Sequence, residues 1–394
     1  MNKYISLLLL AGILFFNIGY ATSNEKPHET PTEKIESVTL DFNQEVGQSS
    51  AGQKFYLGGL SGLFFRPGAS AKNHELWTLT DRGPNGGEIP ALIGVGRNAR
   101  SFLIPKFNPK LVKFNLDAST FKPKLVSVKD FKNKLGKGMT GLPILAQTKS
   151  NRSITESSAD NYGNKVASDL DGMDSEAVCL DKNGNFWVGE EYGPDILKFD
   201  SNAKLLNRMK PGNQLPAYLA KRKMNHGFEG IACSDTKVFA ILQSPIKVDS
   251  SAKTPFVPLV EIDLLTEHVS AVYEYIFDSE KSDKIGDMTV LPDGKLLIIE
   301  QNGKAGKDSQ RKVFKVSLSK DKVMKELVID LSNTEFNQSE KIEGIVAIDN
   351  LTLLLISDND FGMSGDVDLQ TGMATVVPDK RSLIYRVHLT KKLW

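Results

Sequence analysis

Apolar and polar residues alternate along this chain in short runs, and the runs come in pairs joined by tight turns. That period-two pattern reads as antiparallel β-strands. One unit recurs five times: a small or acidic residue leads an apolar strand, a turn follows, and a second strand ends in polar or acidic residues. The copies begin at Ser61-Gly62-Leu63, Glu176-Ala177-Val178, Glu229-Gly230-Ile231, Asp287-Met288-Thr289 and Glu343-Gly344-Ile345. Their second strands end at Asp81, Glu190-Glu191, Gln243, Glu300 and Asp358. A repeated hairpin of this length, with outer strands between copies, predicts an all-β fold, a β-propeller of five clear blades with a five- or six-bladed closure. The place for a sixth blade is around Ser101–Phe131.

The predicted blades can be bounded. The first has inner strands near Gly59–Arg66 and Glu75–Thr80 and outer strands near Leu111–Leu116 and Lys124–Val128. The second runs from Ser175 to about Met209 and turns at Asp181-Lys182-Asn183-Gly184-Asn185, where Asn and Gly supply positive φ. The others cover roughly Phe228–Phe277, Gly286–Leu331 and Ile342–Leu389. Ser37–Phe42 also alternates like a strand, well placed to close the ring against the last blade. Asn213–Met224 is the best short helix. The polar stretch from Thr148 to Asp174 is long for a loop and reads as functional or disordered.

The N-terminus changes the picture of where the protein works. Lys3, the apolar run Leu7 to Phe16 and Gly19-Tyr20-Ala21 make a signal peptide over residues 1–21, cut after Ala21. A flexible leader rich in Thr, Glu, Lys and Pro follows over 22–35, and 36–394 is read as one domain. No later segment is apolar enough to span a bilayer. The expected product is exported, periplasmic or secreted. In that compartment Cys179 and Cys233 are permitted a disulfide, but two buried free thiols on neighbouring strands is the preferred reading.

Charge excludes some partners. Lys plus Arg number 49 and Asp plus Glu 48, so no overall field draws the chain to nucleic acid or an anionic membrane. Nothing in the pattern fixes an oligomeric state.

The chemistry follows from the repeat. Antiparallel pairing puts the start of each first strand and the end of each second strand on one face, so acids from distant segments meet. Crowded carboxylates cannot all ionise without a counter-charge, and a hard cation with oxygen ligands supplies one. The expected cofactor is Ca²⁺, with Mg²⁺ second, and the expected ligands are Glu176, Glu190, Glu229, Glu343 and Asp358. Zinc is disfavoured, because the five His are scattered and no HExxH or Cys pair is present. Glu191, Arg82 and His226 are the candidate catalytic residues. Asp81, Asn85, Asn225, Glu300 and Asp360 are the candidates for contacting substrate. The acidic run Asp169 to Glu176 resembles a calcium loop without matching the EF-hand pattern. Ser61 lacks the G-x-S-x-G elbow and is read as a packing residue.

At these residues the chain resembles the esterase-like phytase family. The matching stretches are Gly58–Leu63, Asp81-Arg82-Gly83-Pro84-Asn85, Thr140-Gly141-Leu142-Pro143 and Asp174–Val178. Further along come Gly189-Glu190-Glu191-Tyr192-Gly193-Pro194, Asn225–Gly230, Ile285–Met288, Lys341–Gly344 and Ser357–Phe361. The resemblance implies a propeller that hydrolyses an ester or phosphoester of a small molecule. Gln301 stands where an Arg is expected after the fourth blade's acid, and few cations lie near the acids, so phytate itself is poorly supported. The leading expectation is an exported, metal-assisted hydrolase. The alternatives are a calcium-dependent lactonase or arylesterase, using Asn85, Asn225 and Asn359 as neutral ligands, and a binding propeller without chemistry.

Overall fold

Seven stretches of the chain are described by the computed structural model: residues 34–68, 72–89, 99–144, 156–246, 255–320, 322–338 and 341–394. The predicted signal peptide and nearly all of the leader lie outside them. Within them the chain forms a β-propeller.

Each copy of the repeat opens an antiparallel sheet that runs outward in chain order. The first sheet uses Leu60–Arg66, Asn73–Thr80, Lys110–Asp117 and Pro123–Asp130. The second uses Ser175–Leu180, Phe186–Glu190, Ile196–Phe199 and Leu205–Pro211, with Gln214–Leu215 added at its edge. The third runs from Phe228–Cys233 to His268–Tyr275, and the fourth from Lys284–Val290 to Lys322–Asp330. In the fifth, Ile342–Asp349 pairs with Thr352–Ser357, and that strand pairs with Leu383–His388.

The fifth sheet takes its outermost strand from the other end of the chain. Lys34–Thr39 pairs antiparallel with Leu383–His388, Lys34 opposite His388 and Thr39 opposite Leu383. The expected closure by an N-terminal strand is thus present, starting at Lys34, inside the stretch read as leader. The five first strands lie against one another in a cycle: first on second, second on third, third on fourth, fourth on fifth, fifth on first. The region offered for a sixth blade holds the outer strands of the first sheet instead.

Packing follows the alternation. Side chains of one parity fill the layers between neighbouring sheets, as with Trp187, Phe228, Ile241, Leu259 and Ile298 between the second, third and fourth. Leu353, Leu355, Val387 and Phe336 do the same between the fourth and fifth. At the far end of two first strands, Cys179 and Cys233 are joined by a disulfide, with Cα atoms 5.6 Å apart. This corrects the expectation of two free thiols: adjacent blades bring the two strands within bonding range.

The polar stretch ending at Asp174 carries structure of its own. Ser157–Ala159 and Lys165–Val166 join Asn85–Glu88 and Ala99–Phe102 in a small separate sheet. A two-stranded ribbon, Met363–Asp368 with Met373–Val376, packs beside it. The expected helix is shorter than its pattern, one 3₁₀ turn over Ala217–Lys221.

Candidate metal and substrate cleft

The acids at the starts of the first strands reach the site because the strands are bulged there. The ladder slips between Ser175 and Ala177, Phe228 and Gly230, Ile285 and Met288, and Ile342 and Gly344. Glu176, Glu229, Asp287 and Glu343 are therefore extra residues, released from the pleat and re-aimed. Beside the bulges the strands approach closely. A Cβ on Gly62, whose φ is +64°, would stand 2.8 Å from the Cα of Ala177, and one on Gly344 would stand 2.7 Å from the Cβ of Leu63.

Second strands contribute by parity. Thr80, Glu190, Leu242, Glu300 and Ser357 are equivalent paired residues near the ends of their strands, opposite Leu60, Ser175, Phe228, Ile285 and Ile342. The next residue of each strand, on the opposite side of the pleat, is Asp81, Glu191, Gln243, Gln301 or Asp358. A shift of one position reverses the face a side chain meets. Asp81, Glu191 and Gln243 accordingly line the site, while Glu190 and Glu300 do not.

The centre of the site is Asp174, Glu176 and Glu191. One carboxylate oxygen from each lies within 4.8 Å of the other two. Two oxygens bound to one Ca²⁺ at about 2.4 Å can be up to about 4.8 Å apart, so the spacing fits a hard cation. Gln243 Nε2 donates to Glu191 Oε1 at 3.2 Å. The backbone amide of Arg82 donates to Asp174 Oδ1 at 3.1 Å, and its Nη1 stands 3.1 Å from Asp174 Oδ2. The same Nη1 donates to Glu156 Oε1 at 2.8 Å. Glu156 Oε2 receives Arg100 Nε at 2.6 Å and Asn225 Nδ2 at 2.9 Å. A cleft of about 360 Å³ opens over these groups, walled by Asp81, Glu176, Glu191 and Glu229 on the acidic side, with Lys341 and Asp360 among the residues closing it.

Several predicted residues do other work. Glu190 is fully buried, and its oxygens accept the amides of Asp174, Tyr192 and Gly193 at 3.2, 2.9 and 2.6 Å. It caps the second sheet's backbone, which leaves it poorly disposed as a metal ligand. Glu300 accepts Tyr275 Oη at 2.7 Å and the Asp278 amide at 3.0 Å, with Lys325 paired to it, all outside the cleft. Gln301, in the place where an Arg was expected, bonds the backbone of Ile342 in both directions. Asp287 accepts the amides of Leu63 at 3.3 Å and Ile345 at 3.0 Å, tying the first and fifth sheets to the fourth. Asn359 Oδ1 accepts the Gly59 amide at 3.0 Å. His226 is absent from the cleft wall. Within the acidic run, Asp169 and Asp171 serve the loop, accepting from Thr140 at 2.6 Å and Asn133 at 2.8 Å.

Glu343 lies buried beside Glu229, and Asp358 lies 3.8 Å from Lys341 Nζ. Asn85 lines the cleft and donates to Gly83 O at 2.9 Å. Sequence reasoning left Asp174, Glu156, Gln243 and Lys341 out of the site. Asp174 had a signal, its place two residues before Glu176. Gln243 had one too, its equivalence to Glu191. Glu156 had none, since only the folded course of the long polar stretch brings it to Arg82.

Burial dominates the electrostatics of the acidic group. Burial, then neighbouring acids, raises Asp81, Glu176, Glu191 and Glu229 well above the ordinary carboxylate range. Burial also raises Glu343, against the pull of Lys341. Asp358 is pushed up to about 8 by burial and by Asp360. Burial opposes the charge on Asp360 as well, but Lys341 and Lys380 outweigh it and bring that carboxyl down to about 2. His226 falls to about 4, through burial and then the nearby Lys223 and Lys284. Buried oxygens of Glu229 and Glu343 have no hydrogen-bond donor. Buried acceptors of this kind are costly unless satisfied.

Comparison with known proteins places the chain. An uncharacterized secreted protein of Arthroderma benhamiae is 24% identical over 183 residues, 35% of this chain and 36% of that one. The chain thus spans about a third of the length of that curated relative. Among solved structures, a luciferin-regenerating enzyme is 12% identical at a TM-score of 0.42, over 92% of this chain and 98% of that one. A PQQ-bound aldose sugar dehydrogenase from Streptomyces coelicolor is 12% identical at a TM-score of 0.35, over 91% of this chain and 100% of that one. Among the described residues no helix is long and apolar enough to cross a membrane. Residues 56–361 match the phytase-like family, described as esterase-like activity of phytase, and the chain belongs to that family.

Proposed function

We propose that this protein is an exported hydrolase of an ester bond, assisted by a hard divalent cation, Ca²⁺ ahead of Mg²⁺, held by Asp174, Glu176 and Glu191. The observation that carries this reading is the convergence of those three carboxylates, two of which, Glu176 and Glu191, line an open cleft while Asp174 lies buried behind them. When bound, the cation supplies Lewis-acid polarisation of the substrate's acyl or phosphoryl oxygen. The chain's own groups do the rest. Gln243 orients Glu191. Glu229, on the cleft wall with an oxygen free of donors, exchanges a proton with the attacking water and the leaving group. Lys341 steadies negative charge developing across the cleft. Arg82, bound by Glu156 and Asp174, holds the acids in place rather than gripping substrate.

The excess of acids favours a carboxylic ester or lactone over a polyanion such as phytate. Each phosphate brought in would meet Asp81, Glu176, Glu191 and Glu229 with few cations in compensation. Export is supported by the predicted signal peptide together with the Cys179–Cys233 disulfide.

The test is to strip the purified protein with chelator, reload it with Ca²⁺ or Mg²⁺, and assay carboxylic esters, lactones and phosphomonoesters. Turnover that is lost with chelator, restored by Ca²⁺ and abolished in Glu191→Gln supports the reading. Metal that raises the melting temperature with no turnover of any of these esters would leave a binding propeller.

A further inference from the structure

A second cavity, of about 460 Å³, adjoins the cleft, and Lys341 and Asp360 line both. It lies between the edge of the fifth sheet and the turn at Asp379–Arg381, with Ser37 of the closing N-terminal strand at its rim. We infer that this cavity is a subsite for a neutral polyhydroxylated group, such as a sugar or cyclitol, carried by the substrate. The inference rests on the hydrolase reading for the bond that is cut, but the recognition argument stands on the cavity itself.

Charge is the first reason. Among the described residues, four carboxyl side chains (Glu335, Asp358, Asp360 and Asp379) and three cationic side chains (Lys341, Lys380 and Arg381) line the cavity. Most are already paired. Lys380 Nζ donates to Asp360 Oδ2 at 2.6 Å and to Met363 O at 2.9 Å. Lys341 stands 3.8 Å from Asp358 and 3.9 Å from Asp360, and Arg381 is 3.7 Å from Asp41. An anionic substituent would compete with carboxylates that already neutralise these cations, so it would gain little net attraction.

Polarity is the second. Among the described residues Leu383 is the only aliphatic one in the lining, and Tyr385 is buried against Phe336. An alkyl or aryl group would desolvate charged walls and return no hydrogen bonds. Hydroxyl groups both donate and accept, so a polyol can replace water against carboxylates and ammonium groups together without separating them. The volume lies within the range of small-molecule sites, about 300–1,000 Å³.

The experiment uses the Ca²⁺-loaded full chain and Ser37→Trp. Ser37 is exposed at the rim, so the indole enters the cavity without removing an observed hydrogen bond. Substrates are a monosaccharide acetate, D-glucono-1,5-lactone, 4-nitrophenyl acetate, 4-nitrophenyl octanoate and phytate. The inference expects a kcat/KM for a sugar ester or sugar lactone at least tenfold above those for octanoate and phytate. Ser37→Trp should raise its KM tenfold or more while 4-nitrophenyl acetate stays within twofold. A preference for octanoate or phytate overturns the subsite, as does equal loss on all substrates. If no ester is cleaved, the hydrolase reading fails separately. Saturation-transfer NMR with methyl glucoside then decides the subsite. A transfer signal that disappears in Ser37→Trp keeps it, and no signal with the unaltered chain removes it.

Discussion

Glu156 and Arg82 form a nearly dry ion pair, 2.8 Å from Oε1 to Nη1, with their side chains 1% and 13% exposed. The pair ties a segment far from any blade hairpin to the second residue after the first blade's second strand. Through Arg82 it also reaches Asp174. Removing one partner of a buried pair costs about 3–5 kcal/mol, because the other charge is left uncompensated. Glu156→Ala should therefore lose stability on that scale in urea denaturation and weaken calcium binding in calorimetry. Glu326→Ala removes an ion pair whose glutamate is 67% exposed and should change stability by about 1 kcal/mol or less.

The one-residue difference between Glu190 and Glu191 gives a sharp contrast. Glu191→Gln removes a carboxylate from the metal group, so calcium should no longer raise the melting temperature appreciably. Glu190→Gln leaves the three cation-facing carboxylates in place but replaces one of the two oxygens that together accept three backbone amides with an NH2 donor. It should lower stability by about 1–3 kcal/mol while keeping a calcium-dependent shift. A calcium titration of both variants by differential scanning calorimetry separates the two roles.

Acidity should matter in an unusual direction. Asp358 is pushed up to about 8 in the folded chain, so its neutral form is favoured by folding. Its contribution to stability is complete below the ordinary carboxylate range and is lost as pH rises towards 8. The chelated protein should melt at lower temperature at pH 8 than at pH 5. Added Ca²⁺ should reverse the trend, since protons then compete with the cation at low pH. A chelated protein whose melting point climbs from pH 5 to 8 would contradict the buried-acid picture.

The disulfide spans 54 residues of chain. By the loop-entropy relation it constrains the unfolded state by about 4 kcal/mol. The Cys179→Ser, Cys233→Ser double variant should lose stability of that order, and reduction of the unaltered protein should produce a similar loss. The sulfurs lie beyond the acidic ends of their strands, so the reduced protein, while folded, should retain its calcium affinity.

Much of the fold was legible because it repeats. The Asn-Gly turn, the five hairpins and the closing strand each announced themselves through alternation and turn residues. The site was legible as a region, since antiparallel pairing alone sends Glu176, Glu191, Glu229 and Asp81 to one face. Parity at the second-strand ends was harder. Glu190 and Glu191 are adjacent acids, and only the observed pairing of Ser175 with Glu190 shows which one turns to the cleft. The same shift exchanges Glu300 for Gln301. The bulges at the first strands were not readable, because an extra residue in a strand leaves no mark in hydrophobic alternation that short. Glu156 lay beyond reach for a different reason: its contacts join segments 74 and 69 residues apart in the chain.

Bulging frees the cleft acids from the sheets that carry them. Because Glu176, Glu229 and Glu343 sit outside the hydrogen-bonded ladder of their sheets, the backbone pairing around them does not depend on what side chain they carry. The blades then act as a chassis with exchangeable inserts. Changing the residue at one bulge rewrites one corner of the cleft while its sheet, its turns and the adjoining blades keep their own reasons to fold. A lineage, or a designer, can retune the donor set around the axis one blade at a time.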